Sequence, residues 1–147
     1  MFSKFSTGVC VLLVEENKLL FKGLTINSFS SVSLDPLLIS FSMKSNSRFF
    51  IDFDRSKNFS INILSEKQKD IAKKCSISGG YRFSFGEIKV AKAGYVPDCL
   101  VSMFCRVKEV FQGGDHAIML CEVVDMLQHQ HDLPLVFFDS QYCSVSL

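Results

Sequence analysis

The stretch with the most capacity for chemistry is Gly23–Pro36, which reads Gly-Leu-Thr-Ile-Asn-Ser-Phe-Ser-Ser-Val-Ser-Leu-Asp-Pro. Thr25, Asn27, Ser28, Ser30, Ser31 and Ser33 crowd into this window between two apolar, strand-like runs. Ser and Asn side chains compete with the backbone for hydrogen bonds, so the window reads as a poor strand and a poor helix. As a loop it offers many neutral donors and acceptors, a set suited to a ligand that is polar, heteroaromatic and phosphorylated. A serine-rich turn with no ligand fits the same residues. A second cluster is Lys44-Ser45-Asn46-Ser47-Arg48. Ser47 is placed as the N-cap of a short helical segment, where free N–H groups favour an anion, and Arg48 adds a fixed charge able to pair with phosphate. An ordinary cap beside a solvated Arg is the competing reading. His116 follows a glycine-bearing turn and heads an apolar strand, where a His can also simply bond to its own turn. His129 and His131 form His-x-His, a spacing that puts two imidazoles on one side of a strand. No third ligand is obvious, so no metal is expected and a solvated loop is the simpler account.

Periodicity supplies the elements that hold these residues. Val9–Val14 is a β-branched apolar run, Glu15–Lys18 is polar and turn-like, and Leu19–Ile26 resumes a strand pattern, so the three predict a hairpin. Leu37–Met43 alternates as a half-buried strand. Arg48–Asp54 carries Phe49, Phe50 and Phe53 at helical spacing, with Asp52, Asp54 and Arg55 as a solvent-facing charged end. Asn58–Leu64 sets Phe59, Ile61 and Ile63 against Asn58, Ser60 and Asn62, a strand with one polar face. Ser65–Gln68 fits a capping box opening a helix that ends at the glycines of Ser76–Gly80. Tyr81–Pro97 reads mostly as loop. Cys99–Phe111 and His116–Gln128 are long apolar runs joined by Gln112-Gly113-Gly114-Asp115, a hairpin turn. Leu135–Phe138 and Gln141–Val145 are short terminal strands. Strands, an inserted helix or two, then strands again predict a mostly β chain (β or α+β), an antiparallel β-barrel with short flanking helices.

Composition narrows the function classes. At 147 residues the chain is expected to be one domain over 1–147, with ample core material in 15 Phe. The formal charge is +1 and the cations are scattered, which argues against a nucleic-acid footprint. No apolar run approaches the roughly 18 residues needed to span a bilayer, and no secretory leader is visible, so a cytoplasmic protein is expected. None of the six Cys lies in Cys-x-x-Cys, and buried free thiols are the simpler account. There is no Gly-x-Gly-x-x-Gly after a strand, no phosphate-loop Gly-Lys-Ser/Thr and no Gly-x-Ser-x-Gly, which sets aside a Rossmann dehydrogenase, a nucleotide hydrolase and an esterase.

Thr-x-Asn-Ser-Phe-x-Ser-x-Ser-x-Asp-Pro, with Phe5-Ser6-Thr7-Gly8-Val9 upstream, resembles the flavin reductase-like, FMN-binding split-barrel family. The likeness continues in order through Lys44–Arg48, Asn62-Ile63-Leu64, Gln68, Gly94–Pro97, Phe104-Cys105-Arg106-Val107, Gly114-Asp115-His116, and Pro134, Leu135, Phe138 and Tyr142. Departures are a lead-in helix that the family often carries before its Phe-x-Thr-Gly-Val, a single Pro36 where Pro-Pro is common, and Asp139-Ser140 where a glycine is usual. The resemblance implies an NAD(P)H:flavin oxidoreductase, with FMN (FAD possible) as cofactor and NADH or NADPH as co-substrate. A non-catalytic FMN-binding or electron-carrier protein of the same fold is the alternative. It implies Thr25, Asn27, Ser28 and Ser31 as ring and ribityl contacts, Ser45, Ser47 and Arg48 at the phosphate, and His116 near the flavin and nicotinamide. It also implies a homodimer that passes reduced flavin to a monooxygenase or another acceptor.

Overall fold

A computed structural model of the chain describes residues 1–17, 20–84, 86–129 and 131–147. In chain order the strands are β1 (Thr7–Gly8), β2 (Cys10–Asn17), β3 (Leu20–Ile26), β4 (Ser30–Leu34) and β5 (Leu37–Lys44). Helix α1 (Arg48–Asp52), β6 (Phe59–Ile63) and α2 (Lys69–Lys74) follow. Then come β7 (Tyr81–Phe83), β8 (Lys89–Val90), β9 (Gly94–Tyr95), β10 (Val101–Gly113), β11 (His116–Gln128), β12 (Leu135–Phe138) and β13 (Gln141–Ser144). Eight strands form one antiparallel sheet in the order β4-β5-β11-β10-β6-β2-β3-β7, and β1-β12-β13 form a second. This is the expected mostly β, antiparallel arrangement with short flanking helices.

The core explains why β2 begins as an unbroken apolar run. Cys10 and Leu12 face one cluster with Phe41, Phe49, Phe59, Ile61 and Met119. Val11 and Leu13 face a second cluster with Phe21, Leu64, Ala72, Cys75 and Leu135, beneath α2. A strand covered on both faces has no polar side to alternate with. All six cysteines are free and five are buried. Among the described residues no helix is long and apolar enough to cross a membrane.

Three expectations need correction. The polar stretch Glu15–Lys18 is not wholly a turn, because the ladder with β3 continues to Asn17↔Leu20; Lys18 and Leu19 lie outside the described residues. The serine-rich window is outside strands only at Asn27–Phe29 and at the Asp35-Pro36 turn. Gly23–Ile26 belongs to β3, and Ser30–Leu34 pairs with β5 as an edge strand, where a ladder on one side outweighs the turn preference of serine. Tyr81–Pro97 contains three short strands, β7 paired to β3 and β8 paired to β9.

The largest difference lies in β6. Its polar side is buried: Ser60 and Asn62 are both 0% exposed. Asn62 Nδ2 donates to the Val11 carbonyl at 3.0 Å and to Ser60 Oγ at 2.9 Å. Asn62 Oδ1 accepts from Val96 N at 3.0 Å and from Ser102 Oγ at 2.8 Å. Ser60 donates to the Gly94 carbonyl at 2.6 Å. The amide thus has a partner for every donor and acceptor it owns, which is how an Asn becomes tolerable in a core.

The network reaches His129, whose Nε2 lies 3.0 Å from Ser102 Oγ and whose ring stacks on Tyr95 at 5.3 Å. His129 is therefore not in a solvated loop, and burial pushes its pKa below the usual imidazole value. Among the described residues no group of three or more His, Cys, Asp or Glu is disposed to hold a metal.

Candidate functional site

β11 begins at His116 and β5 ends at Lys44, one residue before Ser45, so the two strands bring His116 and the Ser45–Arg48 turn to one end of the sheet. Their antiparallel register sets His116 opposite Lys44. Just beyond Lys44, Ser45 N donates to the Asp115 carbonyl at 3.0 Å, which ties the turn before α1 to the turn before β11. The sequence makes this junction locally. Gly114, with φ +68°, occupies the left-handed position of the β10–β11 turn, a conformation that suits glycine.

Ser47 caps α1 as expected: its hydroxyl accepts from Phe50 N at 3.2 Å. That helix is one turn long, so its dipole is small and an anion there must rely on side chains. Two are open. The Ser45 hydroxyl is buried from water and has no hydrogen-bond partner among the described residues. Arg48 is 70% exposed, and among the described residues its one ion pair is a long one to Asp52 at 3.7 Å.

His116 is half-exposed, and its Nδ1 lies 2.7 Å from Asp115 Oδ1. A carboxylate can only accept, so Nδ1 carries the proton of this hydrogen bond, and in that tautomer Nε2 is the nitrogen left to accept. The same hydrogen bond holds the Asp115 carboxyl below its ordinary range.

The serine-rich residues divide. Ser28 bridges to β5, its hydroxyl donating to the Ser42 carbonyl at 3.1 Å and accepting from Ser42 N at 2.9 Å. Ser42 stands three residues before Ser45, roughly 10 Å along the strand. Thr25 Oγ1 donates to the Ala72 carbonyl at 2.7 Å, so its proton ties β3 to α2 and only its oxygen remains open. Asn27 is exposed, and among the described residues its amide makes no hydrogen bond. Ser31 sits on the edge strand opposite Ile39, turned to the other face from Ser30. The structure thus brings Ser28, Ser45, Ser47, Arg48 and His116 together along β5 and leaves Thr25 and Asn27 beside a small neighbouring cavity.

That cavity adds residues not singled out as ligand contacts. Val9, Thr25, Asn27, Ser76, Phe137 and Tyr142 line it, with Ser76 Oγ 3.1 Å from the Tyr142 hydroxyl. Sequence showed Ser76–Gly80 only as a helix stop. In space this loop runs between β3 and α1, and a Cβ on Gly80 (φ +87°) would lie 2.8 Å from the Phe49 ring and 2.9 Å from the Gly23 carbonyl. Two successive glycines after a helix were the available signal. Three of the buried thiols are poor nucleophiles, since burial pushes Cys10, Cys75 and Cys121 up to about 12.

This arrangement can bind and orient: neutral hydrogen-bonding groups toward one end, one exposed cation and a hydroxyl unpaired among the described residues toward the other, and a His hydrogen-bonded to Asp115 beside them. A family model described as "Flavin reductase like domain" matches residues 2–146. The reductase component of the flavin-dependent trigonelline monooxygenase of Acinetobacter baylyi is 36% identical over 126 residues, covering 83% of this chain and 40% of that protein. The NADH:riboflavin 5'-phosphate oxidoreductase of Streptomyces pristinaespiralis is 34% identical over 107 residues, covering 71% of this chain and 61% of that one. This chain therefore spans about half the length of such curated relatives. The solved styrene monooxygenase flavin reductase of Pseudomonas putida S12 superposes with a TM-score of 0.89 at 27% identity, covering 99% of this chain and 95% of that one. With the split-barrel sheet, the polar groups along β5 and the family match across residues 2–146 all in agreement, the chain belongs to the flavin reductase like domain family.

Proposed function

We propose that this chain reduces flavin, FMN foremost, with NADH or NADPH, and that the reduced flavin serves a monooxygenase or another acceptor. The observation that carries the reading is the Ser45 hydroxyl, buried without a partner among the described residues, three positions before the exposed Arg48. A buried hydroxyl left unpaired costs free energy, and a phosphate oxygen is an acceptor that would satisfy it. FAD fits the same residues through its own phosphates. The relatives named as reductase components of monooxygenases, and one named for NADH and riboflavin 5'-phosphate, support the same assignment.

A bound flavin supplies the hydride-accepting and electron-passing chemistry. The chain's residues do the rest. Ser45, Ser47 and Arg48 hold the phosphate. Ser28, pinned to Ser42, sets the distance from that end to Asn27. Asn27, the Thr25 oxygen, Ser28 and Ser31 face the ring and ribityl groups as donors and acceptors. Asp115 keeps the proton on His116 Nδ1, so that Nε2 can accept a hydrogen bond from the carboxamide of the nicotinamide and orient it. The working unit is a homodimer in the cytoplasm; Val32, Leu34 and Phe111 expose apolar surface along the sheet, a feature that marks contacts between subunits.

Mixing the protein with FMN and NADH, then NADPH, in the absence of oxygen tests the reading. Loss of the oxidised flavin absorbance at a rate proportional to enzyme is expected, and His116→Ala slows it while flavin affinity stays near wild type. No bleaching with either nucleotide overturns the activity.

A further inference from the structure

Lys22 is the only charged side chain in the buried set among the described residues, at 5% exposed. Burying an ammonium is expensive unless close partners compensate it. Its partners stand off: the Glu16 carboxylate is 3.6 Å away and the Asp52 carboxylate 4.0 Å, with the Phe49 ring centroid at 5.4 Å. Each carboxylate has a second cation. Glu16 takes the Arg82 guanidinium in two hydrogen bonds, Nε at 2.9 Å and Nη2 at 3.2 Å. Asp52 takes Arg48 one turn back along α1 at 3.7 Å. The charges therefore alternate, Arg82, Glu16, Lys22, Asp52, Arg48, from β7 through β2 and β3 to α1. The chain runs beside a cavity of about 350 Å³ that Glu15, Asp54 and Lys57 also line.

Four of these five groups are partly or wholly exposed and the fifth, in the middle, is not. At the outer end Asp52 and a flavin phosphate are rival anions for one guanidinium. A carboxylate with Arg48 as its sole cation would hold it; a carboxylate also facing a buried ammonium has less need of it. We propose that Lys22 is a positioning residue for phosphate recognition: it neutralises Asp52 from inside the protein and so leaves Arg48 free to turn to the phosphate. The inference rests on the reading of Arg48 as a phosphate ligand. The fixed interior charge also explains why the position between Phe21 and Gly23, otherwise suited to an apolar residue, carries a lysine. Glu16, itself gripped by Arg82, faces Lys22 at the far side, and the hydrogen bonds from Arg82, with a smaller contribution from Lys22, keep the Glu16 carboxyl below its usual range.

The test uses the affinities of FMN and of riboflavin, which differ only by the phosphate, in wild type, Lys22→Met, Asp52→Asn, the double variant and Arg48→Ala, with thermal melts to establish folding. Lys22→Met is expected to lower the preference for FMN over riboflavin by roughly three- to tenfold, and Asp52→Asn in that background to restore it, a non-additive pair. A Lys22→Met that weakens both flavins equally, or leaves the preference unchanged while Arg48→Ala abolishes it, overturns the role of Lys22 alone. A preference that no variant alters, Arg48→Ala included, overturns the phosphate reading and this inference with it. If Lys22→Met does not fold, Lys22→Gln takes its place: a lowered FMN preference that Asp52→Asn restores supports the role of Lys22, and an unchanged preference overturns it.

Discussion

Two groups of Ser and Asn, one around Asn62 on β6 and one around Asn27 and Ser45 just past the ends of β3 and β5, differ in what their polar atoms touch. In the first, every polar atom of the Asn62 amide is used, by Val11, Ser60, Val96 and Ser102. In the second, Asn27 has no protein partner among the described residues, Ser45 Oγ is buried and unpaired, and Arg48 reaches only the distant Asp52. Composition is shared; satisfaction is not. A fold closes its buried hydrogen bonds because each open one costs about 1–3 kcal/mol. Polar groups left open at one end of β5 are thus the better indicator of a ligand than the abundance of serine.

Removing Asn62 should break the closed group most severely. Asn62→Ala takes one partner each from the Val11 carbonyl, the Val96 N–H and the Ser60 and Ser102 hydroxyls in the core, and a loss of about 3 kcal/mol is expected in urea unfolding. A loss below about 1 kcal/mol would show the network to be dispensable.

Arg48→Ala should do the opposite. Its side chain is exposed, so stability barely changes, while FMN affinity falls about tenfold and riboflavin affinity holds. Equal loss for both flavins removes Arg48 from the phosphate.

The smallest effect is at the rim of the closed group. Burial lowers the His129 pKa, so the unfolded chain binds a proton more readily than the folded one. Stability should be level above the ordinary imidazole range and decline as pH falls through it, toward the lower folded value. His129→Asn should flatten that decline, which a series of urea midpoints between pH 5 and 8 would show.

The long hairpin of β10 and β11, the α1 cap and the Ser65–Gln68 capping box were all legible, because each is written in residues a few positions apart. The polar side of β6 was not. Alternation shows that two faces differ, and says nothing of whether the polar one meets water or partners 34, 40 and 51 residues away. Thr25 was legible as a polar group at the site but not as a tie to Ala72, 47 residues on. Ser76 as a neighbour of Tyr142 could not be inferred from local spacing, since 66 residues separate them. The edge strand β4 was hidden because serine's turn preference is a local property and its ladder with β5 is not.

Ser45 separates the two groups most directly. If its hydroxyl is held open for a phosphate, Ser45→Ala leaves the flavin-free protein as stable as wild type or slightly more so, since it removes an unpaired buried group, and it weakens FMN several-fold relative to riboflavin. Paired measurement of unfolding free energy and of the two flavin affinities gives the answer. A variant that loses stability yet binds FMN as before would place Ser45 with Asn62, among the residues that build the fold, and contradict the account.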